Sequence, residues 1–492
     1  MTPSSTPEQF RSGELNLCDP ESRKFILLAA ILASGLGFID GSMVSIALPA
    51  MRASIDATLI QAQWVSNAYL LTLTALILAA GAAGDRFGLA RVFATGIVIF
   101  VVSSIGCALA GSPETLIFAR GIQGIGAALM IPGSLALITR AYPPEERGRA
   151  IGTWAAAAAV TAGLGPIIGG LAMTLGGPET WRWIFAINLP LGGLAIYILW
   201  CHVQQDPSQP KRGIDWPGAA LATLSLGLIA IALTGAEYGE MIDTRALTFG
   251  VIGILAFIGF LRVQMINPQA MMPLSLFRNF GFSVANLISF LIYFSFSAIL
   301  MYLPMAVIGG WGVTEIETSA AYAPLSIFIA ALSGLSGRLA DRYGPAPFLA
   351  AGSIVLTLGY VALAIVIPSG DFWGAIVPAM CFQGVGMGLI VAPLSAAVMS
   401  SVGSDSAGIA SGVNNAVTRM AGLLAVAAMG SVISVAYTAN GGDDSFGALR
   451  VSEAHQIATG AAFSKVAWIA SGMTALAAVI VTLIPLQKRM AR

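Results

Sequence analysis

Charged residues are scarce in this sequence of 492 residues. Asp, Glu, Lys and Arg make up 10% of it, whereas roughly 25% is usual in globular proteins. So few ionic groups could not cover the water-facing surface of a soluble protein of this length. Apolar residue types make up 57% of the chain. The sequence therefore predicts a protein whose main solvent is the lipid bilayer.

The chain also lacks an excess of either charge, because Lys and Arg together number 24 and so do Asp and Glu. Nucleic-acid-binding proteins need clustered basic residues, so no nucleic-acid partner is expected. Only two histidines and four scattered cysteines are present, and they form no metal-ligand pattern. No metal site and no cofactor are therefore expected. Because no nucleophile is paired with a base, the sequence does not predict an enzyme.

Long apolar runs are abundant instead. A helix needs about 20 mostly apolar residues to cross the hydrocarbon core, and fourteen such stretches can be marked. An even number of spans places both termini on the same side of the membrane. The predicted spans are 25–49, 62–83, 91–110, 114–138, 148–172, 182–202, 216–236, 244–263, 280–308, 317–337, 346–367, 372–400, 407–436 and 464–486.

The basic residues give these spans an orientation, because Lys and Arg in short loops stay cytoplasmic. With both termini inside, 17 basic residues lie in inner segments, and four lie in outer loops: Arg52, Arg182, Arg245 and Arg450. We therefore predict cytoplasmic termini. His455 falls in the predicted outer loop 437–463, where we expect it to be a solvated surface group.

Two copies of one pattern divide the chain into halves. The loop after span 2 contains Gly81-x-x-x-Asp85-Arg86-x-Gly88, and the loop after span 10 contains Gly337-x-x-x-Asp341-Arg342-x-Gly344. Span 4 then carries Gln123-Gly124-x-Gly126, and span 12 carries Gln383-Gly384-x-Gly386. Matching order and orientation indicate parallel repeats, related by an axis along the membrane normal.

The repeats predict an all-α polytopic membrane protein with two six-helix bundles and two inserted helices. Such an architecture places a substrate site between the bundles and exposes it to either side as they rock. The predicted divisions are a cytoplasmic tail at 1–24, a first bundle at 25–203, an inserted helix pair at 216–263, a second bundle at 280–486 and a cytoplasmic tail at 487–492.

At these motifs the chain resembles the major facilitator superfamily, specifically its fourteen-span drug:proton antiporter branch of the EmrB/QacA type. Asp40, Ala47, Leu48 and Pro49 match that branch's span 1 motif. The loop 81–91 resembles the superfamily's gating motif, and 120–126 resembles its span 4 motif. The segment Gly165-Pro166-x-x-Gly169-Gly170 is similar to the antiporter motif of span 5, although the usual leading glycine is Thr161 here.

The resemblance implies a secondary transporter in a bacterial inner membrane that exports amphiphilic drugs or other small organic compounds in exchange for protons. Its expected partners are a small-molecule substrate, protons and the bilayer, with a periplasmic adaptor where the host has an outer membrane. We expect a monomer. Two alternatives stay open: an exporter or importer of one specific metabolite on the same fold, and, from another class, a membrane-embedded enzyme or receptor.

Asp40 is the predicted proton carrier. A carboxylate deep in a span is costly, at least about 2.5 kcal/mol on insertion scales, and should face protein or a wet cavity. Arg120 cannot lose its proton, so it would act electrostatically, by competing with the proton for Asp40. The resemblance implies the same coupling role. The competing interpretation is structural for both residues, with Asp40 bonded to neighbouring helices and Arg120 tying helices together.

Polar and aromatic residues of several spans are candidates for lining the substrate cavity. Arg419 belongs to a polar cluster in span 13, where it could line the cavity or bond backbone carbonyls. The aromatic candidates of span 9 could equally serve packing. The full set is Gln123, Asn286, Phe290, Tyr293, Phe294, Tyr302, Gln383, Asn415 and Arg419. A single deep carboxylate favours monovalent or neutral substrates over dications.

The remaining candidates belong to two motifs away from the substrate. The gating motif and its repeat supply loop charges and turn glycines that would hold one conformation, with a simple topology signal as the alternative: Gly81, Asp85, Arg86, Gly88, Arg91, Gly337, Asp341, Arg342 and Gly344. In the antiporter motif, Pro166 removes a backbone donor and Gly165, Gly169 and Gly170 permit close helix approach, which packing alone would also explain.

Overall fold

The computed structural model describes residues 17–204, 206, 213–234, 244–403, 406–449 and 452–483. Most of the predicted N-terminal tail, the predicted tail at 487–492 and Arg450 lie outside these ranges. Within them the chain is helical, and fourteen helices are long and apolar enough to cross a membrane. The all-α fold predicted from the sequence is confirmed, and each predicted span overlaps one of these helices.

The fourteen helices follow the chain in order. They are α1 (Arg23–Ser54), α2 (Leu59–Phe87), α3 (Leu89–Ala108), α4 (Pro113–Ala141), α5 (Pro144–Gly176), α6 (Trp181–His202, interrupted at Ile187), α7 (Trp216–Thr234), α8 (Thr244–Ile266), α9 (Phe280–Trp311), α10 (Glu315–Tyr343), α11 (Ala346–Val366), α12 (Val377–Ser400), α13 (Ala407–Ala439) and α14 (Glu453–Leu483). We call the end of the molecule where α1 begins and α14 ends the terminal face, and the other end the opposite face.

Local sequence marks where the helices begin and end. At the opposite face, α2 and α10 start with capping boxes in which Thr58 pairs with Gln61 and Thr314 with Glu317. At the terminal face the same two helices stop at Gly88 and Gly344, whose φ angles are 102° and 83°. Only glycine adopts such angles without strain. The repeat read from the sequence thus recurs in the backbone.

Helix pairing is the same in the two halves. In the first, α1 packs on α4, α5 and α6, and α4 packs on α2 and α3; in the second, α9 packs on α12, α13 and α14, and α12 packs on α10 and α11. The bundles meet where α2 packs on α13 and α5 packs on α10, which are equivalent pairs under the repeat. The inserted helices α7 and α8 pack on each other, and α7 also contacts α2 and α13.

One local expectation is wrong. Helix α14 begins at Glu453, well before the predicted start at 464, so His455 is a helical residue and not a loop residue. Its exposure is 0%, and its Nδ1 lies 2.5 Å from the hydroxyl of Tyr437 on α13. Residues 453–463 are too polar to indicate a membrane span. They nevertheless form the first turns of α14, at the opposite face.

Candidate functional site

Asp40, Arg120 and Gln123 form one hydrogen-bonded network inside the first bundle. The Arg120 Nη1 atom lies 2.5 Å from Asp40 Oδ2 and 2.5 Å from Gln123 Oε1. Gln123 Nε2 donates to the other carboxylate oxygen of Asp40 at 3.0 Å. Arg120 and Gln123 can both donate to Asp40 because they lie three residues apart on α4 and so on the same helix face.

Neighbouring helices complete the network. Arg120 Nε donates to the Val65 carbonyl of α2 at 3.1 Å, and its guanidinium lies 4.4 Å from the ring centroid of Tyr69. Gln123 also donates to Ser104 of α3 at 2.9 Å. Gly124 makes this approach of α2 possible, because a Cβ there would lie 2.4 Å from the Tyr69 carbonyl oxygen. Such partners are what a charge pair needs to survive burial.

The network is sealed from solvent in this conformer. Asp40, Arg120 and Gln123 have exposures of 0%, 1% and 0%. Asp40 therefore faces protein and not a wet cavity. The next residue of α1, Gly41, is exposed, and a Cβ built there would meet no atom within 4 Å. Because α1 is packed between α4, α5, α6 and α9, this opening faces the space between the bundles, which we call the cleft.

The candidate cavity residues separate into two groups. Phe290 and Tyr293 of α9 are half-buried, Asn415 of α13 is exposed, and Arg419 is half-buried. Helix α9 is enclosed by α1, α12, α13 and α14, so its partly exposed residues border the cleft. The others are buried in the packed interior of the second bundle, as Gln123 is in that of the first: Asn286, Phe294, Tyr302 and Gln383.

The interior residues mostly join helices. Asn286 accepts a hydrogen bond from Asn414 at 3.1 Å, and the Tyr302 hydroxyl donates to the Val426 carbonyl, so both connect α9 with α13. Phe294 packs on Phe290 with ring centroids 6.0 Å apart. Gln383 has no hydrogen-bond partner for either side-chain atom among the described residues. Their part in substrate binding stays a prediction.

The gating motif sits at the terminal face. Asp85 Oδ1 lies 3.1 Å from Arg140 Nη2, which ties α2 to α4. Asp206, which the sequence did not single out, accepts hydrogen bonds from the backbone N–H groups of Ala90 and Arg91 at 3.1 and 2.8 Å. It thereby caps α3 and fixes the chain after α6 to this loop. The remaining motif residues lie in the last two turns of α2 and α10: Gly81, Arg86, Gly337, Asp341 and Arg342.

The antiporter motif lies between three helices. A Cβ at Gly165 would lie 2.2 Å from Ser42 Oγ of α1, and one at Gly169 would lie 3.1 Å from Met43 Cγ. A Cβ at Gly170 would lie 2.1 Å from Ser319 Oγ and 2.6 Å from the Glu315 carbonyl oxygen of α10. The motif glycines therefore let α5 touch both its own bundle and the other one.

Hydrogen bonds join the two bundles at the opposite face. Ser319 Oγ donates to the Pro166 carbonyl at 2.6 Å, and the Ile316 N–H donates to Thr174 Oγ1 at 3.3 Å. Arg52, at the end of α1, donates to the Phe446 carbonyl at 2.6 Å and to the Ser445 hydroxyl. Sequence reasoning used Arg52 only as a loop charge. Its partner is a segment almost 400 positions away, and no sequence spacing could have indicated that.

Comparison with known proteins places this geometry in a family. A family model described as the Major Facilitator Superfamily matches residues 30–426. The chain is 31% identical over 414 residues to a methylenomycin A resistance protein of Streptomyces coelicolor, covering 82% of this chain and 85% of that one. It is also 31% identical over 415 residues to the multidrug resistance protein Stp of Mycobacterium tuberculosis, covering 83% and 76%.

Solved structures share the fold at low sequence identity. A bacterial homologue of the human lysosomal transporter Spinster, in an inward-facing and unoccupied conformation, superposes with a TM-score of 0.66 at 18% identity and covers 96% of this chain. A D-xylose–proton symporter superposes with a TM-score of 0.63 at 17% identity and covers 95%. At such identities the likeness establishes the architecture and leaves the cargo open.

Proposed function

Because this chain belongs to the Major Facilitator Superfamily, whose members are membrane transporters, we propose that it exports amphiphilic small organic compounds in exchange for protons. It would belong to the fourteen-span drug:proton antiporter branch and act as a monomer in a bacterial inner membrane, with both termini in the cytoplasm. Asp40 is the proton carrier and Arg120 its electrostatic competitor in this proposal.

The direction of transport is supported by the names of the relatives. Two of them are named for resistance to an antibiotic or to several drugs, and another, from Streptomyces glaucescens, is a tetracenomycin C resistance and export protein at 28% identity. Fourteen spans and the glycine-rich contact of α5 with α10 agree with the antiporter branch.

The position of Asp40 is the observation that carries proton coupling. Acidic residues of the other described spanning helices lie in first or last turns, whereas Asp40 lies in the middle of α1. An acid at that depth is expected to be functional. Its partner Arg120 stays charged under all physiological conditions. Protonation of Asp40 is therefore the simplest change that alters the charge of this network.

Protonation would destabilise the conformer described here. Removing one member of a buried ion pair typically costs about 3–5 kcal/mol, because the other charge is left uncompensated. With Asp40 neutral, Arg120 would keep its charge among Tyr69, Phe185 and Gln123. A conformer that lets water reach Arg120 would then be favoured. We propose that this preference couples the proton to the rocking of the bundles.

Proton-driven transport by an Asp40→Asn variant tests the proposal. In proteoliposomes with an imposed pH gradient, the variant should insert normally and exchange substrate across the membrane, but it should not accumulate substrate against a gradient. Glu145→Gln is the matched control, because Glu145 is an exposed residue in the first turn of α5. Undiminished proton-driven transport by Asp40→Asn would remove the coupling role and leave the structural interpretation. A panel of neutral drugs, acids and cations separates broad export from transport of one metabolite.

A further inference from the structure

Arg419 is a cation at membrane depth that is not paired with any described acidic residue. It is the thirteenth residue of α13, about 18 Å along the helix from its start at a rise of about 1.5 Å per residue. No ion pair or hydrogen bond joins its guanidinium to another described residue. A cation at this depth is costly unless it meets water or an acidic partner.

The surroundings place Arg419 at the cleft. It is close enough to interact electrostatically with Tyr69 of α2 in the first bundle and with Tyr293 of α9 in the second. Asn415, one turn earlier on the same helix face, is exposed. The opposite face of α13, with Val413 and Val417, packs in one cluster with Phe282 of α9 and Val398 of α12, which belong to the same bundle. Arg419 therefore points away from that cluster, toward the first bundle across the space between the two.

Within the described part of the chain, no acidic side chain forms an ion pair with Arg419 in this conformer. Asp40 is the acidic group at similar depth, and its two oxygens already receive Arg120 and Gln123. The alternative of bonds to backbone carbonyls has no support, since none is formed within the described residues. An unpaired guanidinium beside the cleft is available to bind a ligand.

The geometry points to an organic monoanion as the cargo, bound by Arg419 through a carboxylate; this deepens the proposed export function and rests on it. A guanidinium presents paired N–H donors that match the two oxygens of a carboxylate. Phe290 and Tyr293 border the same space and supply ring faces for an apolar or aromatic body. The exposed amide of Asn415 adds a hydrogen bond. An organic cation would be repelled by Arg419, and Asp40, the described acid at similar depth, is buried and already paired with Arg120.

The net charge moved in each transport cycle distinguishes an anionic cargo from a neutral or cationic one. One proton moving in for one anion moving out carries two charges across the membrane in the same electrical sense. A neutral cargo exchanged for one proton carries one charge, and a monovalent cation carries none. An anion exporter should therefore respond to membrane potential at constant pH more strongly than an exporter of neutral compounds.

The test uses naphthoic acid and its primary amide, naphthamide, as probes of nearly equal shape, with tetraphenylphosphonium as the cationic probe. Binding to the purified protein is followed by tryptophan fluorescence, and uptake by inverted proteoliposomes under an imposed gradient is measured in parallel. The wild type should bind and transport the acid better than the amide. Arg419→Gln should raise Kd and KM for the acid about 10- to 100-fold, as expected for loss of a charged hydrogen bond, and leave the amide unchanged.

Two further variants make the result specific. Arg419→Lys keeps the charge and should recover part of the affinity for the acid, and Arg262→Gln, on the exposed side of α8, should match the wild type. Equal loss of acid and amide in Arg419→Gln would overturn the inference, and so would preference of the wild type for tetraphenylphosphonium. Selective binding of the acid without any proton-driven uptake would instead count against the proposed function and leave Arg419 as an anion site.

Discussion

A methyl group added at Gly170 should prevent the bundles from closing at the opposite face. Gly170→Ala places a Cβ 2.1 Å from Ser319 Oγ and 2.6 Å from the Glu315 carbonyl oxygen. Ordinary contacts of a Cβ begin near 3.4 Å, so α5 and α10 must move apart. The hydroxyl can rotate away, but the carbonyl belongs to the helix backbone and cannot.

The size of the effect follows from the overlap. Overpacking of this kind typically costs about 1–3 kcal/mol, and a difference of about 1–3 kcal/mol changes a conformational ratio by about 5- to 150-fold. This steric cost arises only where α5 contacts α10. The conformer that is open at the opposite face lacks this contact and is not destabilised. Gly170→Ala should therefore move the population toward that open conformer without unfolding the protein.

Spin labels at Leu175 and Ile316, exposed residues on the opposite-face ends of α5 and α10, report this change as a longer distance distribution. Gly152→Ala is the matched control, because Gly152 lies on the same helix and a Cβ there would meet no atom of another element within 4 Å. Adding Ser319→Ala should recover only part of the closed population, since the Glu315 carbonyl remains. An unchanged distribution in Gly170→Ala would refute the assignment of this contact as a closing surface.

Two other substitutions test the ends of the molecule. Arg52→Met removes the donors to Phe446 and Ser445, and because hydrogen bonds to charged groups contribute about 1.5–3 kcal/mol, the same spin labels should show a more open opposite face; a closed distribution would contradict this. Gly88→Ala forces a side chain onto φ 102° and places its Cβ 2.4 Å from Asp206 Oδ2. It should lower the melting temperature in detergent relative to Gly148→Ala, where a Cβ meets nothing, and equal melting temperatures would show that the loop adapts.

The number of spans and the repeat could be predicted from the sequence because both depend on local composition. Each span is an apolar run about as long as the bilayer requires, or longer, and the matching Asp85 and Asp341 loops stand at equal places in the two halves. The same locality sets the limit. Helix α14 starts in the polar stretch after Ser452, which hydropathy does not identify as helical, so the sequence wrongly predicts a loop position for His455.

The candidate site could be predicted only in part. Depth in a span singled out Asp40 and Arg120, and the structure has them in contact at 2.5 Å. Residue type alone makes Tyr302 and Asn286 candidates for the cavity, but their exposure depends on which side of α9 meets α13. A helix with apolar residues all round does not encode that side. The capping of α3 by Asp206 depends on tertiary packing, and no motif or spacing in the sequence indicates it.

Sequence differences between the repeats indicate that the two bundles have different roles, proton coupling in the first and cargo binding in the second. Arg120, three residues before Gln123, is replaced by Met380 before Gln383, so the second bundle has lost the cation of the proton network. Gln383, without Arg120 and Asp40 to bond, is left with no described partner. Conversely, Asn415 and Arg419 of α13 stand where α5 has Ala155 and Ala159.

The first bundle thus has Arg120 bonded to an internal acid, and the second has Arg419, which no described residue bonds. If the cargo is an anion, its arrival at Arg419 and the departure of the proton from Asp40 both place a negative charge beside a guanidinium. The rocking bundles then never have to move an uncompensated charge through the low-dielectric interior, where its cost would be greatest.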